Sequence, residues 1–209
     1  MSTMVESWQV TTVEELEGII GVPGERVATK VTPYVTPLVR QFVMASPYFL
    51  MGTADADGNC DVTPRGDAPG SVLFLDDRTL VIPDRLGNRR IDSMKNILTN
   101  PHVGLLFLVP GTDETVRING RAIITRDPEL LARLAMQGKE PKVVIVVEID
   151  EVFTHCARSI LRSKLWEPES WPDPDTIPTL AAMMAEQKDL PPPDESAGKR
   201  NEEYRQRLY

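Results

Sequence analysis

The chain has 209 residues, 41% hydrophobic and 26% charged, with 23 basic against 31 acidic residues and a formal net charge of -8. That length suits one domain with extensions, and the acidic balance argues against nucleic acid as a partner held through a general basic surface. No apolar run approaches the roughly 20 residues that cross a bilayer, and "MSTMVESWQV" lacks the basic flank and apolar centre of a secretory signal, so a cytoplasmic location without a membrane partner is expected.

Residues 12 to 45 read as helical. "VEELEGII" places Val13, Leu16, Ile19 and Ile20 on one face, and "PLVRQFVMAS" resumes the pattern after "GVPG". Pro47 closes this region, and from Tyr48 the period changes to short apolar runs: "YFLMGTAD", "CDVTP", "SVLFLDD", "TLVIP", "VGLLFLV", "TVRINGRAIIT" and "VVIVVEIDEVF". Turn chemistry such as "DADGN" and "DDR" separates them, which predicts six or seven strands. Two helices interrupt the series, one over Arg89–Leu98 and one in "DPELLARLAMQG", where Asp127 caps and Gly138 ends the helix. The pattern predicts a mainly β protein, a small barrel with peripheral helices, rather than a doubly wound sheet. The expected division is 1–46 as a helical extension, 47–166 as the barrel and 167–209 as a tail with one short helix in "TLAAMMAEQ". The Pro-rich, charged end of that tail is expected to be disordered or laid against something else.

"DRLGNRR" raises a question of charge. With Asn88 as N-cap, and Ile91, Met94 and Leu98 following at helical spacing, Arg89 and Arg90 fall in the first turn, where the helix dipole disfavours cations. An anion held jointly by free backbone N–H groups and two guanidinium groups would reverse that penalty, and phosphate fits best. Solvation, or pairing with Asp84 or Asp92, is the alternative.

Other chemistries find little support. His102 and His155 are the only histidines, and HExxH, CxxC, GxSxG, Walker and GxGxxG patterns are absent. His102 reads as a structural or surface residue. Cys60 and Cys156 are too few for a disulfide framework and lack metal-ligand spacing. Cys156 is expected to be a buried small apolar residue rather than a nucleophile served by His155, because adjacent strand residues point to opposite faces. In "RSILRSKLW", Arg162 and Lys164 offer charge and Trp166 a flat π surface, suited either to capping the core or to clamping an aromatic ligand. In "TPRGD", Gly66 beside Arg65 allows close approach to the backbone, or a plain turn.

Taken together, these residues resemble the pyridoxamine 5'-phosphate oxidase-like family of FMN-binding split barrels. "LGNRR" looks like that family's Leu-Gly-Ser-Arg-Lys phosphate segment, and "NPHVGLLFLVPG" with "RINGRA" looks like the Asn-Pro strand and hairpin that follow it. The likeness runs over about residues 40–166, and an uncharacterised FMN-dependent subgroup is more similar still in "TPRGD", "NILTNP" and "LRSKLW". The resemblance implies that Asn88, Arg89 and Arg90 hold the FMN phosphate, with Ser93 and Lys95 as further candidates one turn into the helix. It implies that the isoalloxazine lies along Thr63, Arg65, Gly66 and Asp67. It also implies a homodimer with FMN at the interface, where Arg162 and Trp166 approach from the partner subunit.

The implied activity is FMN-dependent hydride transfer with a small molecule, no metal being required; a non-catalytic flavin- or haem-binding sensor or carrier is the alternative. Asn-Arg-Arg replaces Ser-Arg-Lys, the segment before the Asn-Pro is about one helical turn longer than in the vitamin-processing enzymes, and their Arg-Leu-His-type substrate segment is not found. Poor oxidation of pyridoxamine 5'-phosphate is therefore expected.

Overall fold

The computed structural model describes residues 8–191 together with residues 202, 204, 205 and 208, so the expectation for the end of the tail lies almost wholly outside the described residues. The chain forms two compact units, residues 1–31 and 32–209. In the first, α1 (Val13–Ile20) starts at Thr12, whose hydroxyl accepts a hydrogen bond from the Glu15 amide at 3.1 Å, and stops at Gly21. A single turn, α2 (Glu25–Ala28), follows. The apolar stripe of α1 is exposed along its length.

The second unit opens with α3 (Pro37–Ala45), which has Thr36 as N-cap and Pro37 in its first turn, where the missing N–H costs nothing. Seven strands follow: β1 (Tyr48–Ala54), β2 (Cys60–Gly66), β3 (Leu73–Phe74), β4 (Thr79–Pro83), β5 (His102–Leu108), β6 (Thr115–Thr125) and β7 (Val144–His155). They form one antiparallel sheet in the order β2-β1-β5-β6-β7-β4-β3. The fold is mainly β with peripheral helices, as the strand pattern predicts.

Alternation decides what each strand buries. Phe49, Met51 and Thr53 on β1 and Val103, Leu105 and Phe107 on β5 point into the core, and the paired Phe49 and Phe107 rings stack at 4.7 Å. The continuous run Leu80-Val81-Ile82 on β4 does not alternate because both its faces are covered. Leu80 and Ile82 join the main core, and Val81 packs with Leu131, Leu134 and Val144. Pro64 lacks an N–H, and β2 accommodates it as an edge strand.

The sheet curls until its edge strand β2 approaches the end of β4 without joining it. Arg65 on β2 pairs with Asp84, just beyond β4, at 3.2 Å, and Asp67 after β2 pairs with Arg85 at 2.5 Å. Side chains, not ladder hydrogen bonds, cross this seam, which makes the barrel split. Between Asn119 and Gly120 the β6–β7 register shifts, so β7 carries one extra residue and its inward positions pass from Ile149 to Val152. At Gly120 a Cβ would lie 2.1 Å from the Glu148 carbonyl oxygen, so only glycine fits this crossing.

Three local expectations are corrected. The helix expected from Arg89 is α4 (Asp92–Thr99), entered through Ile91 at φ 55°. Asp127 does cap α5 (Pro128–Arg133), yet that helix stops at Leu134; Gly138, at φ 75°, belongs instead to a tight turn closed by the Met136–Lys139 bridge. Cys156 lies just past the end of β7 and is exposed, not buried, because the core-facing alternation ends before it. Beyond it come α6 (Arg158–Ser163), two short 3-10 turns and α7 (Leu180–Glu186), the last capped by Thr179. No described helix is long and apolar enough to cross a membrane.

Candidate functional site

The seam encloses a cavity of about 820 Å³, within the roughly 300–1,000 Å³ span of small-molecule sites. One wall is β2. Its period of two turns Asp61, Thr63 and Arg65 toward the cavity as half-buried residues and leaves Val62 and Pro64 exposed. A second wall is the start of α4, which packs on β1, β2 and β6. Its Ser93 is only 2% exposed; the Ser93 hydroxyl donates to Asp61 Oδ2 at 3.1 Å and lies 3.0 Å from Thr63 Oγ1. The end of β4, the loop from Asp84 to Ile91 and residues 139–142 add to the lining, together with Phe49, Ser71 and Val72.

The loop conformation is specific. Asn88 Oδ1 accepts the Arg90 amide at 3.0 Å, while Arg89 and Ile91 take φ 63° and 55°. Left-handed backbone at non-glycine residues costs on the order of 1–3 kcal/mol each and is unusual for a β-branched side chain. Arg89 and Arg90 are exposed at the cavity rim, ahead of α4 rather than within its first turn. The charge conflict read from the sequence therefore does not arise in that form: the first turn carries Asp92, the favoured sign. Arg90 Nε donates to Asp92 Oδ2 at 2.6 Å, and Lys95 Nζ lies 3.4 Å from Asp92 Oδ1. The hydrogen bond from Arg90 is the largest of the influences that hold the Asp92 carboxyl below the usual carboxylate range.

Charges deeper in the seam are paired. Asp67 Oδ2 accepts from Arg85 Nε, and its other oxygen accepts the Ala68 amide at 2.7 Å. Arg85 Nη1 continues to the Leu134 carbonyl at 2.9 Å. Arg65 Nη1 holds Asp84, but the buried Arg65 Nε has no acceptor. A buried N–H without an acceptor costs about 1–3 kcal/mol, and an acceptor atom on a ligand in this cavity would relieve it. Among the described residues no cluster of three or more His, Cys, Asp or Glu could hold a metal ion.

Eight of the residues singled out from the sequence meet here: Thr63, Arg65, Gly66, Asp67, Asn88, Arg89, Arg90 and Ser93 all line the one cavity. Lys95 does not line it, its ammonium being held at Asp92. Nor do Arg162 and Trp166 of this chain; the Trp166 indole N–H donates to the Thr112 carbonyl at 2.7 Å, anchoring the segment after α6 on the β5–β6 hairpin. Sequence reasoning missed Asp61, Asp84, Arg85 and residues 139–142 as lining. Asp61 was within reach, since it lies two residues before Thr63 on one strand face. Asp84 and Arg85 stand in "DRLGNRR" itself, beside the residues singled out there, whereas residues 139–142 come from a segment distant in sequence that only the tertiary structure brings to the cavity.

No curated protein sequence matches the chain significantly. Among solved structures the chain is similar to HupZ of Group A Streptococcus at 20% identity, with 57% of this chain and 93% of that one covered and a TM-score of 0.47. It is also similar to an FMN-binding protein of Syntrophomonas wolfei at 12% identity, covering 74% and 98%, with a TM-score of 0.43. General Stress Protein 26 of Bacillus anthracis is similar at 18% identity, covering 55% and 88%, with a TM-score of 0.40. The family model for pyridoxamine 5'-phosphate oxidase matches residues 35–156, from just before α3 to just past β7, more than half of the chain and the whole sheet with its seam. The chain therefore belongs to the pyridoxamine 5'-phosphate oxidase family.

Proposed function

We propose that this protein is an FMN-dependent oxidoreductase acting by hydride transfer on a small molecule. The observation that carries the reading is the rim loop: Asn88, Arg89 and Arg90 lie together on a strained backbone at the mouth of a cavity large enough for a flavin. In this assignment Arg89 and Arg90 bind the phosphate, Arg90 turning from Asp92, and Asn88 holds the turn between them through the Arg90 amide. Ser93 stands behind Thr63 and keeps its hydroxyl in place through Asp61, and Thr63 and Gly66 line the ring along β2. Arg65 would offer its unpartnered Nε–H to a ring acceptor, a cation and donor able to stabilise negative charge on a reduced ring. Asp67 contributes by holding Arg85. Bound there, FMN would supply the hydride chemistry, so no nucleophile or acid–base triad is needed from the protein.

The purified protein is expected to be yellow, with about one FMN per chain. An absorption spectrum and mass identification of the released cofactor check this, and a haem spectrum or no chromophore would overturn it. Anaerobic mixing with NADH, NADPH or pyridoxamine 5'-phosphate, followed by flavin absorbance, tests turnover. A nicotinamide donor is expected to bleach the flavin faster than pyridoxamine 5'-phosphate does. Bleaching by none of the three would favour a flavin carrier, and rapid bleaching by pyridoxamine 5'-phosphate with aldehyde formation would make the chain a vitamin B6 enzyme.

The same reading calls for a homodimer with FMN at the interface, Arg162 and Trp166 of a second copy closing over each flavin. Partly exposed apolar side chains on the outer face of the sheet, among them Tyr48 and Val62, suit burial against that copy. An interface above roughly 2,000 Å² in total is expected. Sedimentation at micromolar concentration should give twice the mass of one chain; a persistent monomer that still binds FMN would remove the role given to Trp166.

A further inference from the structure

Arg85 lies at the base of the rim loop and was singled out neither by the sequence nor by the family resemblance. Its guanidinium connects two elements that no ladder hydrogen bond joins: Nε donates to Asp67 Oδ2 at 2.5 Å, at the end of β2, and Nη1 donates to the Leu134 carbonyl at 2.9 Å, at the C-terminal end of α5. Both partners of the ion pair are well covered, with side chains 16% and 5% exposed, so solvent screens the pair little. Asp67 is fixed in turn by the Ala68 amide. Past Arg85 the loop changes character. Residues 86–91 are all exposed, and Arg89 and Ile91 hold left-handed backbone. Such a conformation persists only where its surroundings over-determine it. Within the loop the Arg90 amide bonds Asn88, and Arg90 pairs with the start of α4. At the β4 end, the Asp84 amide bond to the Val143 carbonyl extends the ladder, and Arg85 is the next residue.

We propose that Arg85 is a positioning residue for the phosphate-binding loop, fixing through Asp67 and Leu134 the direction in which Asn88, Arg89 and Arg90 leave β4. It touches no ligand in this assignment. Its contribution is to preorganise the cradle, so its loss falls on phosphate recognition and not on the ring wall. The inference rests on the assignment of the rim loop to the FMN phosphate.

The test compares FMN and riboflavin affinities of the full chain by flavin fluorescence titration, with thermal unfolding recorded for each variant. Wild-type protein is expected to prefer FMN strongly. Arg85→Gln should weaken FMN at least tenfold and riboflavin less than twofold, and Arg85→Lys should recover part of the preference. If Arg85→Gln fails to fold, Arg85→Lys, which keeps the charge but replaces the two separate donor nitrogens with one, should still weaken FMN more than riboflavin. Equal weakening of both flavins, or no change in either, would overturn the positioning role while leaving the phosphate assignment intact. A wild-type preference near one would overturn the phosphate assignment and the role of Arg85 with it.

Discussion

Replacing Arg89 and Arg90 together with alanine is expected to weaken FMN binding by roughly two to four orders of magnitude and to leave riboflavin affinity within about threefold. Each guanidinium would give a charge-assisted hydrogen bond to the phosphate, and such bonds contribute about 1.5–3 kcal/mol, or a factor of roughly 10 to 150 each. Arg90 must first give up Asp92, to which it is bonded at 2.6 Å, so its share should fall toward the lower figure. Arg89 has no carboxylate within ion-pairing distance among the described residues and should carry the larger share. Both side chains are exposed and outside the core, so the unfolding temperature should barely move. Fluorescence titration of the apoprotein with each flavin measures the effect. Equal affinities for the two flavins before and after substitution would show that the rim loop does not read a phosphate.

Gly120→Ala is expected to lower stability by about 3 kcal/mol or more, a fall of roughly 6–12 °C in unfolding temperature for a domain of this size. The added Cβ would meet the Glu148 carbonyl oxygen at 2.1 Å and the Val147 Cγ1 at 3.0 Å. Relief requires β7 to move, and β7 at this point carries Val147 and Ile149, both in the core. Gly52→Ala on β1 is the matched control: its Cβ would meet nothing nearer than the Gly104 carbonyl oxygen at 3.7 Å, and a change within about 1 kcal/mol is expected. If the two substitutions cost the same, the close crossing at the bulge is not what holds Gly120 in place.

Much of the architecture was legible in the sequence because it depends on local periodicity. The apolar runs "YFLMGTAD" and "VGLLFLV" become strands β1 and β5, and Asp127 caps its helix through its own side-chain oxygen. The segment Thr63–Asp67 and the basic pair at Arg89–Arg90 could likewise be singled out by residue type and resemblance, and both line the cavity. The tertiary structure decided the rest. The helix after Arg90 begins at Asp92 because Arg89 and Ile91 adopt left-handed backbone, a choice set by the surroundings of the loop and invisible to helical spacing. Cys156 is exposed because β7 ends before it. At the register shift the Gly120 backbone comes so close to Glu148, 28 positions away, that no Cβ fits between them. The cavity exists because a twisted sheet brings its edge strand β2 back toward β4, where Arg65 meets Asp84 and Asp67 meets Arg85. Local pattern specifies which face of each element is apolar, whereas the meeting of residues far apart in the chain depends on the twist and closure of the whole sheet, which no window of sequence contains.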